Sequence, residues 1–110
     1  MALPAAVTGN LIIGGLREAA KGLGIVGEVR GKGLMFAVDL VDPRTGAPSP
    51  ALATRVLEET RERGLLIGKG GLYGHALRMA PPMTLSEGDA KEGLGILIDA
   101  LRAADAEATR

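Results

Sequence analysis

Val29-Arg30-Gly31-Lys32-Gly33-Leu34-Met35-Phe36-Ala37-Val38-Asp39-Leu40-Val41 decides the fold of this chain. Leu34, Phe36, Val38 and Leu40 alternate with Met35, Ala37, Asp39 and Val41, the period of a strand with two unlike faces. Ile25 to Arg30 reads as a strand before it. Gly31-Lys32-Gly33 is the tight connection, with glycines where positive φ is expected. The pair is an antiparallel hairpin, and a hairpin needs other elements to cover its apolar face.

Working outward, Leu11, Ile12, Gly15, Leu16 and Ala19 recur at helical spacing, predicting a helix over 5–21 with Gly22 as its left-handed stop. Asp42-Pro43-Arg44-Thr45-Gly46-Ala47-Pro48 has turn chemistry. Ser49-Pro50 opens a second helix, serine capping and proline at the first helical position. Leu52, Val56 and Leu57 form its apolar face, and Gly64 ends it. Leu65-Leu66-Ile67 reads as a short buried strand, Gly68 to Gly74 as a flexible loop, and Ala76 to Met79 as another strand stopped by Pro81-Pro82. Thr84 and Glu87 have capping-box spacing for a last helix carrying Leu94, Leu97, Ile98 and Leu101 on one face. Its tail after Arg102 is polar and is expected to fray. The order α-β-β-α-β-β-α predicts an α+β fold, with helices covering a small, largely antiparallel sheet in one domain over residues 1–110.

Composition excludes several classes. The 110 residues hold 13 Lys plus Arg against 13 Asp plus Glu, so the basic excess of a nucleic-acid binder is missing. With one histidine and no cysteine, neither a disulfide framework nor a zinc site is expected. Phe36 and Tyr73 are the only aromatic residues, so the core must be aliphatic. No apolar run reaches the roughly 18 residues that span a membrane, and the first residues lack a secretory pattern, which makes the cytoplasm the expected location.

Leu77-Arg78-Met79-Ala80-Pro81-Pro82-Met83 places one guanidinium in an apolar segment, where it needs a partner. A planar fork beside a rigid Pro-Pro corner suits bidentate capture of a carboxylate. The alternative is an ion pair to a helix acid such as Glu58 or Glu62. Gly68-Lys69-Gly70-Gly71-Leu72-Tyr73-Gly74 lacks the spacing of a phosphate loop. Lys69 reads as solvated, since an activated lysine needs burial or a cationic neighbour. His75 reads as a polar partner for the loop rather than a general base. Asp39 and Asp42 read as solvated acids rather than metal ligands. Arg30 is expected to make a salt bridge or to hydrogen-bond loop backbone.

Taken together in order, Val29 to Met35, Glu62-Arg63-Gly64-Leu65-Leu66, Gly68 to Gly74 and Leu77 to Thr84 resemble the C-terminal small domain of class III, fold-type I, pyridoxal-phosphate aminotransferases. The glycine-tyrosine loop is most similar to the alanine–glyoxylate aminotransferase branch. In that family the small domain closes over an amino acid or 2-oxo acid, so the resemblance implies that Arg78 receives its carboxylate. It also puts Gly70, Gly71, Tyr73, Gly74 and His75 on a loop bordering the cleft. The Schiff-base lysine and the cofactor cup belong to the family's large domain. None of Lys21, Lys32, Lys69 and Lys91 lies in a segment resembling the cofactor-lysine motif. The expectation is therefore a truncated or split gene product, lacking the large domain, binding no pyridoxal phosphate and inactive alone. A separately encoded large domain or a second copy is the expected partner. The alternative is a non-catalytic interaction module or a decayed gene fragment.

Overall fold

The computed structural model describes residues 5–32, 35–64, 68–70, 74–79 and 87–109. Helix α1 (Ala5–Ala20) leads into the hairpin β1 (Val26–Lys32) and β2 (Met35–Leu40). Helix α2 (Pro50–Glu62), the strands β3 (Gly68–Gly70) and β4 (Ala76–Met79), and helix α3 (Glu87–Ala108) follow. The expected α+β order is thus observed. Among the described residues the four strands pair antiparallel in one sheet, in the order β1-β2-β4-β3.

The alternation along β2 does what it predicts. Phe36, Val38 and Leu40 are buried, while Met35 is 68% exposed. Leu77 on β4 and Val29 on β1 join them beneath the helices. Ile12 and Leu16 of α1, Ala53 and Val56 of α2, and Leu97 and Leu101 of α3 complete a core that is aliphatic apart from Phe36. Helices α1 and α2 lie against the sheet, and α3 packs across both of them. The opposite sheet face carries no helix among the described residues.

Local signals behave unevenly. Ser49 caps α2, its Oγ accepting the Leu52 N–H at 3.2 Å. Gly64 takes φ +86° beyond the helix end, as its position predicts. Gly22 does not adopt the left-handed conformation expected of it; α1 ends instead in tight turns, Gly22 N–H to Ala19 O and Leu23 N–H to Ala20 O. Gly31 likewise lies inside β1 without positive φ. Its need is space, because a Cβ there would collide with Ile13 Cδ1 of α1.

Two further expectations are corrected. Gly68–Gly70 is the edge strand β3 rather than loop, held by backbone pairing of Lys69 opposite Leu77. The end of α3 does not fray after Arg102: Ala104 is buried, and Asp105 Oδ1 accepts the Ile25 N–H at 3.2 Å. The expected strand 65–67, the Gly33 turn, the Pro81-Pro82 corner and the Thr84 cap lie outside the described residues.

Candidate carboxylate site

Register builds the helix-free face. Arg30 stands opposite Ala37, Ala37 opposite Arg78, and Arg78 opposite Gly68. Directly paired residues share a face. One row therefore crosses the sheet with two arginines flanking a methyl group. At ~4.8 Å per strand, the two arginine backbones stand about 10 Å apart.

Arg78 is exposed on this face, while its neighbour Leu77 is fully buried on the other. This corrects the premise that apolar neighbours leave the guanidinium in need of an internal partner. Alternation sends them to opposite sides, and water solvates the charge. Among the described residues neither Glu58 nor Glu62 pairs with Arg78; Glu58 is bound to Arg55 instead. Among the described residues no carboxylate takes up the Arg78 guanidinium.

Asp39 lies two residues along β2 from Ala37, and so on the same face. Its Oδ1 accepts from Arg30 Nη2 at 2.6 Å. The expected salt bridge of Arg30 is therefore present, and Asp39 is corrected from a solvated acid to the partner in that pair, with its side chain only 15% exposed. Asp42 stays local, its Oδ1 accepting the Arg44 N–H at 2.8 Å. Among the described residues no group of acids or histidine is arranged to hold a metal ion.

His75 Nε2 lies 3.9 Å from the same Asp39 Oδ1, and the His75 carbonyl accepts the Leu40 N–H at 2.9 Å. The residue thus has both a backbone role and a carboxylate neighbour. Gly70 pairs with Ala76, which pairs with Asp39, so the β3–β4 connection leaves the sheet one row from Arg78. Gly74, at φ +68°, completes the return. Gly71 and Tyr73 lie outside the described residues. Sequence reading missed the Asp39 pairing with Arg30. The signal for it was available, since a hairpin that sets Arg30 opposite Ala37 makes Asp39 its diagonal neighbour.

Away from this face, α2 carries the most perturbed carboxylate. The hydrogen bond from Arg63 holds the Glu59 carboxyl below the usual glutamate range; burial opposes this and the Arg55 charge assists. Arg55 also reaches Glu107 on α3 at 3.0 Å, and that hydrogen bond leads in raising its own affinity for protons. The network ties helix to helix on the far side from Arg78 and has no place in the site.

Neither Lys21 nor Lys91 fits a pyridoxal-phosphate Schiff base. Lys21, just past α1, is paired with Glu18 at 3.0 Å, and Lys91 on α3 with Glu87 at 3.2 Å, both exposed to solvent. An activated, nucleophilic lysine needs burial or a cationic neighbour, and neither residue has either. No step is therefore assigned to the cofactor on this chain.

Comparison with known proteins supplies the wider setting. The family model described as "Aminotransferase class-III" matches residues 3–101. A 5-aminovalerate aminotransferase of Pseudomonas putida is 37% identical over 89 residues, 81% of this chain and 21% of that protein. A mitochondrial alanine–glyoxylate aminotransferase homologue of Arabidopsis thaliana is 37% identical over 87 residues, 78% of this chain and 18% of that protein. Among solved structures, an Arthrobacter phospholyase in complex with phosphoethanolamine superimposes with a TM-score of 0.87 at 36% identity, covering 91% of this chain and 24% of that one. The chain spans about a fifth of the length of the curated relatives it matches.

Proposed function

We propose, from the premise that this chain belongs to the class III aminotransferase family, that it supplies the substrate-closing C-terminal portion of such an enzyme. Arg78 is the residue that receives the substrate carboxylate. The observation that carries this reading is the presentation of Arg78. It is an exposed guanidinium on the helix-free sheet face, with no carboxylate partner among the described residues. Arg30, Arg55 and Arg63, by contrast, are committed to carboxylates.

The substrates in this reading are an amino acid and a 2-oxo acid, with pyridoxal phosphate held elsewhere in the enzyme. That cofactor would supply the electron sink for amino transfer. The work of this chain is to fix one end of the substrate, which lowers the barrier by orientation. Residues 1–110 act as one small domain, and no transfer is expected from them alone. The β3–β4 connection ending in Gly74 and His75 borders the cleft. The glycine-tyrosine sequence there and the Arabidopsis relative support placing the chain in the alanine–glyoxylate branch. No helix among the described residues is long and apolar enough to cross a membrane.

The test grafts this segment into a complete class III enzyme and replaces Arg78 with lysine. Losing a bidentate, charge-assisted pair should raise KM for carboxylate substrates roughly 10- to 100-fold, the equivalent of about 1.5–3 kcal/mol. Unchanged KM for every carboxylate substrate would remove Arg78 from this role.

A further inference from the structure

We propose that the free edge of β1 is a self-recognition surface for a second copy of this chain, and that Arg17 holds it shut. Among the described residues no strand lies beyond β1, which ends the order β1-β2-β4-β3. An unpaired edge is a template for another strand. Lys32 opposite Met35 closes the hairpin, and bonding alternates along an antiparallel ladder. Counting back from that pair, the backbone N–H and C=O of Val29 face away from β2. Arg17 of α1 reaches this carbonyl, its Nη2 donating to Val29 O at 3.3 Å.

The sequence of the edge selects its partner. Val26-Gly27-Glu28-Val29-Arg30-Gly31-Lys32 is charge-complementary to its own reverse about Val29. Two copies paired antiparallel, Val29 against Val29, set Glu28 of each opposite Arg30 of the other, twice by symmetry. Lys32 then takes the position opposite Val26, so no like charges stand directly opposite. A slide of two residues either way sets Glu28 against Glu28 or Arg30 against Arg30. Opposite charges across a strand pair are favourable and like charges unfavourable. Glu28 and Arg30 are both exposed. Arg30 also holds Asp39 at 2.6 Å, and a guanidinium has donors enough for a second carboxylate. The β-bulge between Val26 and Val29 bends the start of the strand, so the pairing is short and centred on Val29.

Arg17 opposes that pairing twice. It occupies the acceptor that the central Val29 pair needs. Each Arg17 is also bound at its own Val29, so symmetry would bring two guanidiniums together at the axis, a repulsion built against self-association. Its chain neighbour Glu18 is paired with Lys21 at 3.0 Å.

Sedimentation equilibrium of the full 110-residue chain measures the monomer–dimer constant. Arg17→Met keeps the apolar stem and loses charge and donor. It should tighten dimerisation roughly tenfold or more over the parent, the worth of the two backbone hydrogen bonds it releases. Arg17→Gln keeps a donor without charge and should give part of that gain. Adding Glu28→Lys to either variant should abolish the gain, and the Val29 amide should exchange with solvent more slowly in the dimer than in the monomer. Constants for Arg17→Met and Arg17→Gln equal to that of the parent overturn the proposal. A dimer indifferent to Glu28→Lys, or one that leaves the Val29 amide in fast exchange, uses another surface and overturns it as well. A parent that already dimerises with a slowed Val29 amide removes the role of Arg17 without any variant having to fold.

Discussion

A methyl group added at Gly31 would run into Ile13 Cδ1 of α1, whereas one added at Gly64 would meet nothing within 4 Å. Yet Gly64 sits at φ +86° and Gly31 at no positive φ, so the two glycines are needed for different reasons. Gly31→Ala should cost about 1–3 kcal/mol by overpacking, and trimming Ile13 to alanine in the same chain should recover part of that loss. Gly64→Ala should cost ~1–2 kcal/mol of backbone strain that no neighbouring substitution relieves. Urea denaturation of the parent and these variants separates the cases. The sequence showed both glycines but assigned Gly31 to a turn, because crowding from an element 18 positions away leaves no local mark. The Arg78 charge was legible in the same limited way. Its apolar neighbours were visible, but the side of the sheet each would take follows only once β4 is paired with β2.

Caps and periodicity made α2, β2 and β4 readable, since each writes its pattern in side chains. Edge strand β3 does not: Gly68-Lys69-Gly70 has no alternation to detect, and only its backbone pairing with β4 makes it a strand. Within α2, Ser49→Ala should lower stability by about 1 kcal/mol, the usual worth of an N-cap, as read from the thermal midpoint. Glu59 gives the same helix an acid dependence. Its carboxyl is held below the ordinary glutamate range by Arg63 foremost, so the charged form is favoured by folding. The resulting stability is fully present above the unfolded glutamate pKa and is lost as pH falls through the lower, folded one. Glu59→Gln should therefore flatten the acid limb of the stability profile while leaving its slope near neutrality unaltered. An acid limb identical to that of the parent would show that Glu59 is not its source.

Across the whole molecule, α3 is the element that joins the rest. Leu97 and Leu101 are buried with α1 and α2 in one cluster, and Ala100 and Ala104 continue the same stripe. Reading the tail as frayed weighed its charges and overlooked that stripe, because alanine carries little hydrophobic signal although it permits close helix approach. Asp105 makes the point testable. Removing its carboxylate strands the N–H of Ile25, a residue with no exposed surface. Asp105→Ala should destabilise the chain by ~1–3 kcal/mol, measured by chemical denaturation. Arg102→Ala, on the exposed side of the same helix, is the control. A loss at Asp105 no larger than that of the control would mean that water replaces the bond.

The Asp105 contact with Ile25 joins positions 80 apart. Synthesis proceeds from the N-terminal side, so β1 leaves the ribosome long before the carboxylate that secures the residue at its threshold exists. The hairpin must wait, half-covered, through the making of α2, β3 and β4. Contacts this distant in sequence also slow the search for the native state. The chain is thus most exposed to mispairing while it is being made, and α3 acts as the latch that ends that interval.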